Sequence, residues 1–126
     1  MKFHRISTII IWSENYLPLA MWYKNTFELS IVEELNHEKD TGILFSFPDG
    51  NPWLWVGQHS KIKGKNGDPL RLMFNINVDS VSEAHTYLLN HGAMCVAKPF
   101  KAPTMEKYFA TYSDPDGNTF QTIGLQ

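Results

Sequence analysis

The spacing of apolar and polar residues falls into two periods, and the same succession of the two occurs twice along the chain. Residues 6–12 form a β-branched and aromatic run bounded by polar turn formers, which predicts a strand. Ser13 or Asn15 then caps a helix in which Leu19, Trp22, Tyr23 and Phe27 recur at helical spacing, with Pro18 in the first turn where its missing N–H costs nothing. Strands are predicted over 29–35, 42–47 and 53–58, the last two joined by the turn at 48–51. The order repeats after a glycine- and lysine-rich joint at 60–69. A strand over 70–78 alternates Leu72, Phe74, Ile76 and Val78 against Arg71, Met73, Asn75 and Asn77. Asp79 or Ser80 caps a helix carrying Ala84, Tyr87 and Leu88, which stops at Asn90-His91-Gly92. Strands at 94–97, 108–112 and 119–125 complete the second set.

A repeated tetrapeptide marks the same doubling. Pro-Asp-Gly-Asn stands at Pro48 and again at Pro115, 67 residues later, and each copy runs into an apolar stretch that reaches glycine at the same offset, Gly57 and Gly124. A period of half the chain argues for two related modules, 1–59 and 70–126, in a single domain of 1–126. At this length about two-thirds of the unfolded surface can be buried, so a core needs no disulfide or metal staple.

The chain is 43% hydrophobic and 19% charged with a net charge of −2, which fits a globular domain and gives no basic face for nucleic acid or an anionic membrane. The apolar run near the amino end is short and meets no small-residue cleavage site, and no stretch approaches a membrane span, so a cytoplasmic protein is expected. The single cysteine, Cys95, has no internal partner, fits a reducing compartment and is read as a small buried hydrophobe.

A doubled β-α-β-β-β unit with Asp114-Pro-Asp-Gly-Asn118 before the last strand, the passage from Phe74 to Ala84, and Trp22-Tyr23 followed by Phe27 resembles the vicinal oxygen chelate superfamily of glyoxalases, bleomycin-resistance proteins and extradiol dioxygenases. The resemblance implies an α+β fold in which two modules form a pseudo-twofold, cup-like mixed sheet with helices on the convex side and ligand groups on the concave one. It also implies a homodimer. Function within such a superfold has to be argued from the site.

In metal-dependent members the resemblance places His or Gln at the start of each module's first strand and Glu in or near the last. Here those positions fall on Met73 and Gln121 in module two, and on Ile6, Ser7 or Thr8 and near Leu54, with Gln58 further along the same face, in module one. Thioether, amide and hydroxyl groups make a poor set for a catalytic divalent ion. His4 and His59 are the one histidine pair a shifted register brings together; His37, His85 and His91 read as surface residues. Trp53 and Trp55 share one face of their strand, either packed under the first helix, as the match of Trp53 to Phe120 suggests, or forming a stacking platform for a planar ligand. The segment 98–107, with two prolines, reads as a rim loop carrying Lys98, Phe100 and Tyr108.

The reading that follows is a metal-independent small-molecule binding protein with no cofactor, akin to the bleomycin-binding type, with Ser7, Trp55, Gln58, Arg71, Met73, Asn75, Tyr108 and Gln121 around an organic ligand. The alternative is a metal-dependent lyase, isomerase or dioxygenase of the glyoxalase type with non-standard ligands.

Overall fold

A computed structural model describes all residues from Met1 to Gln126, which divide into two compact units, Met1–Gly64 and Lys65–Gln126. In the first unit β1 (Thr8–Ser13), α1 (Tyr16–Phe27), β2 (Ser30–His37), β3 (Asp40–Phe47) and β4 (Gly50–Gln58) follow one another. The second unit repeats the order with β5 (Met73–Ser80), α2 (Val81–Asn90), β6 (Met94–Lys101), β7 (Tyr108–Ser113) and β8 (Thr119–Leu125). The fold is α+β, and each module is a four-stranded mixed sheet with one helix. The strand orders are β1-β4-β3-β2 and β5-β8-β7-β6, so the first strand of each module pairs in parallel with its last. No helix is long and apolar enough to cross a membrane.

One face of each sheet is closed by its helix. In module one Ile11, Ile43, Phe45, Leu54 and Val56 are buried together with Leu19, Ala20 and Tyr23 of α1. Trp22 meets Tyr23 and Phe27 edge-on at 5.0 and 5.8 Å, extending that cluster along the helix. In module two Phe120 stacks between Phe74 and Tyr112, at 6.1 and 5.5 Å, and Val81 and Leu88 of α2 are buried with them. Aromatic pairs in this offset geometry add to simple area burial.

Several element ends differ from the sequence reading. β5 starts at Met73, and Leu70 and Leu72 lie outside the sheet, 66% and 85% exposed. β1 likewise starts at Thr8, leaving Ile6 exposed. β6 continues to Lys101 and so absorbs Lys98-Pro-Phe of the supposed rim loop; it is an edge strand, where the missing N–H of Pro99 breaks no ladder bond, and its register slips between Ala97 and Phe100. Edge position also leaves Cys95 exposed rather than buried.

The caps show how tertiary contacts override local signals. Asn15 occupies the N-cap of α1 without a side-chain cap; the Ser13 hydroxyl accepts from the Asn15 N–H at 3.1 Å, and the Tyr16 N–H donates to Oε1 of Gln58 on β4 at 3.1 Å. At α2 the cap is Ser80, whose hydroxyl accepts from the Glu83 N–H at 3.2 Å.

Candidate functional site

The second face of each sheet, away from the helix, carries the positions at which the resemblance implies ligand groups, and the strand ladders fix which residues those are. Thr8 pairs with Trp53 and Ile10 with Trp55, while Met73 pairs with Thr119 and Asn75 with Gln121. The helix-side ladders superpose in the same way: Phe45–Leu54 and Ile43–Val56 correspond to Tyr112–Phe120 and Ala110–Thr122, every one of them buried. Thr8 is therefore the counterpart of Met73, and Trp55 the counterpart of Gln121.

This corrects the ruler drawn from the repeated tetrapeptide. An offset of 67 holds from β3 to β7, where Phe45 matches Tyr112, but it drops by one after the turn because Pro52 is an extra residue in module one. Leu54 is consequently a core residue under α1, and Trp53 and Trp55 are not: they stand on the open face with Ile10 and Trp12. The match of Trp53 to Phe120 was an accident of the same slip.

The candidate residues separate accordingly. Trp55, Met73, Asn75 and Gln121 are on open faces, and Gln121 Nε2 donates to Thr111 Oγ1 at 2.9 Å, so that Asn75, Gln121 and Thr111 make a polar row across three strands. Ser7 sits just before β1, where its carbonyl accepts from the Trp53 N–H at 2.8 Å. Gln58 is on the helix side; its amide oxygen takes the Tyr16 N–H and its amide nitrogen donates to the Glu14 carbonyl, which commits both ends to fixing the start of α1. Arg71 lies in the loop before β5 with Nε 2.5 Å from Asp68 Oδ2. Tyr108 alternates with Ala110 and Tyr112 and so belongs to the helix-side face at the sheet's far end. A cavity of about 340 Å³ lies at the same end of the sheet, where Asn77 and Ile123 of the open face line it with Asp79, Lys107 and Leu125.

Module one's open face is aromatic. Trp55 lies flat over two glycines: a Cβ at Gly42 would be 2.5 Å from its Cζ2, and a Cβ at Gly57 would collide with its Nε1. Trp12 meets it edge-on, with ring centres 6.3 Å apart and planes at 78°, and His59 meets Trp12 at 5.2 Å. Trp55 is only 9% exposed, and its Nε1 is buried with no hydrogen-bond partner. Nearly all buried N–H groups in proteins are paired, and an unpaired one costs about 1–3 kcal/mol. No sequence signal revealed this donor, because it depends on three strands coming together.

His85, read as a surface residue, is half-buried, with Nδ1 2.9 Å from the Tyr112 hydroxyl. Burial pushes the Tyr112 phenol up to about 12, so the phenol stays protonated at ordinary pH and belongs to the core.

The family's metal does not fit these residues. Its ligand positions hold Thr8, Trp55, Met73 and Gln121, which supply no imidazole, carboxylate or thiolate, and within neither module do three or more His, Cys, Asp or Glu side chains gather. His37 and His59 are each engaged locally, Nδ1 accepting from the Lys39 and Lys61 N–H groups.

A family model described as a glyoxalase-like domain matches residues 9–123. No curated protein matches the sequence. Among solved structures, a glyoxalase family protein from Enterococcus faecalis is 18% identical, with a TM-score of 0.79 over 98% of this chain and 99% of that one. A member of the glyoxalase/bleomycin resistance protein/dioxygenase superfamily from Sphaerobacter thermophilus is 16% identical, with a TM-score of 0.79 over 97% and 98%. TnmS3, an antibiotic binding protein from Streptomyces sp. CB03234, is 16% identical, with a TM-score of 0.77 over 100% and 99%. Identities this low carry the fold alone.

Proposed function

The chain belongs to the glyoxalase-like family of the vicinal oxygen chelate superfamily, and on that premise we propose that it holds a small organic ligand without a metal and without transforming it. One observation carries the reading: where a chelating relative keeps its acid, this chain has an indole, Trp55, in one module and an amide, Gln121, in the other. Chelation chemistry needs a charged donor and a proton acceptor at those places. An indole and an amide instead offer stacking surface and neutral hydrogen bonds, the groups that recognise planar organic molecules. That an antibiotic binding protein shares the fold supports ligand holding as an end in itself. Within this reading the ligand-facing side chains are Trp55 on module one's open face and Met73, Asn75 and Gln121 on module two's, while Gln58 acts only by fixing the entry to α1.

Metal analysis of protein purified without chelator tests it. The expected result is no stoichiometric divalent ion and no shift in melting temperature on adding zinc, nickel, manganese or iron. One tightly held equivalent with marked stabilisation would overturn the reading.

The quaternary part of the proposal is a homodimer. It is supported by the edge strands β2 and β6, which expose Ile31 and Val32, and Met94 and Val96, beside unpaired backbone. Light scattering should return twice the 14.5 kDa chain mass; a mass of one chain removes this part.

A further inference from the structure

We propose that the buried indole N–H of Trp55 is a recognition donor for the ligand, that Trp12 is its movable cover, and that the ligand is a planar aromatic molecule bearing a carbonyl acceptor. This rests on the ligand-holding reading and specifies its chemistry. The indole nitrogen donates only, so its partner has to be an acceptor. Every protein acceptor is out of reach of Nε1, although the ring itself is pinned over Gly42 and Gly57. The backbone seals the N–H from below. From the side it is sealed by Trp12, whose Cζ3 would lie 2.7 Å from a Cβ at Gly57, the same spot Nε1 overhangs.

Trp12 is the exposed member of the pair, at 38%, and meets Trp55 and His59 edge-on. Rotation of that side chain uncovers the donor while leaving the sheet intact. Trp53, at 36% exposure on the same face, and the displaced Trp12 then present ring faces to a flat ligand. No charged side chain stands on β1 or β4, and the ladders carry Asp40 of β3 and Glu33 of β2 onto this face only further out along the sheet, so stacking and one hydrogen bond act next to the donor itself.

The test compares 2-acetylnaphthalene with 2-ethylnaphthalene, probes of the same ring system with and without an acceptor, against the full chain. Four tryptophans give four indole N–H signals in a nitrogen–proton correlation spectrum, and Trp55 is assigned through the backbone and by its loss in Trp55→Phe. The ketone should move the Trp55 proton signal downfield and bind about tenfold more tightly than the hydrocarbon, the scale of one recovered hydrogen bond. Trp55→Phe should bring the two affinities within about twofold of each other. If that variant does not fold, the wild-type affinity ratio and the Trp55 signal decide alone. Equal wild-type affinities with an unmoved Trp55 signal overturn the donor and leave ligand holding in place; binding of neither probe overturns both.

Discussion

Alanine at Gly42 should lower stability by about 3 kcal/mol in urea denaturation, while alanine at Gly57 should cost less but dismantle the indole platform. The difference follows from what each new methyl meets. At Gly42 it would lie 2.5 Å from Trp55 Cζ2 but also 2.6 Å from the Val56 carbonyl oxygen and 2.7 Å from the Gly57 Cα, so moving a side chain does not relieve it and two central strands have to part. At Gly57 the three nearest atoms all belong to the rings of Trp55 and Trp12. Those rings can lift from the sheet, which exposes Nε1 and shifts the tryptophan emission to longer wavelength. Gly67→Ala is the matched control, since nothing lies within 4 Å of its Cβ position, and it should stay within about 0.5 kcal/mol of the parent. A Gly42→Ala protein as stable as that control would show that the Trp55 ring does not rest on the sheet as described.

These glycines also mark where sequence reasoning succeeded and where it failed. Periodicity was sufficient for both helices and for the β5 alternation, because Phe74, Ile76 and Val78 face one helix and their polar neighbours do not. It failed to choose a face for Trp53 and Trp55, since both faces of β4 are apolar: Leu54 and Val56 on one side, two indoles on the other. A strand that is apolar on both faces carries no period-two signal. The repeat offers a substitute, and a single extra residue, Pro52, inverts its answer, because a slip of one in a strand exchanges its faces. Gln58 was misread for a different reason. Its value is tertiary, reaching back across 42 residues to the Tyr16 N–H, and an amide that caps a distant helix looks in sequence like one that lines a pocket. The open-face placement of Asn75 and Gln121 is legible because alternation is clean in β5 and the turn before β8 has its complete Asp-Pro-Asp-Gly-Asn form.

Asp114→Ala should cost about 3–5 kcal/mol and loosen the start of β8, an effect on the scale of losing a buried charged hydrogen-bond hub. Asp114 is 3% exposed, and its Oδ1 accepts from the N–H groups of Asp116 and Asn118 at 2.8 and 2.9 Å while Oδ2 accepts from Asn118 Nδ2 at 2.9 Å. Gly117, at φ 80°, completes the loop with its N–H 3.0 Å from the Asp114 carbonyl, so the five residues between Ser113 and Thr119 close around one carboxylate. Module one shows what the same tetrapeptide does without it. Phe47 stands where Asp114 would be, no acceptor gathers the N–H groups, and the chain turns as a tighter hairpin in which Phe47 pairs directly with Gly50. The two copies of Pro-Asp-Gly-Asn thus turn differently, one around a carboxylate and one as a tight hairpin. Asp114→Asn separates charge from geometry: it keeps an oxygen for the two backbone donors and gives up the acceptor of Asn118 Nδ2, so it should cost about 1–2 kcal/mol. Hydrogen exchange at the Asp116 and Asn118 amides reads the distinction directly, with fast exchange expected in Asp114→Ala and retained protection in Asp114→Asn. Equal protection in both variants would mean that the backbone turn, and not the carboxylate, holds β8 in register.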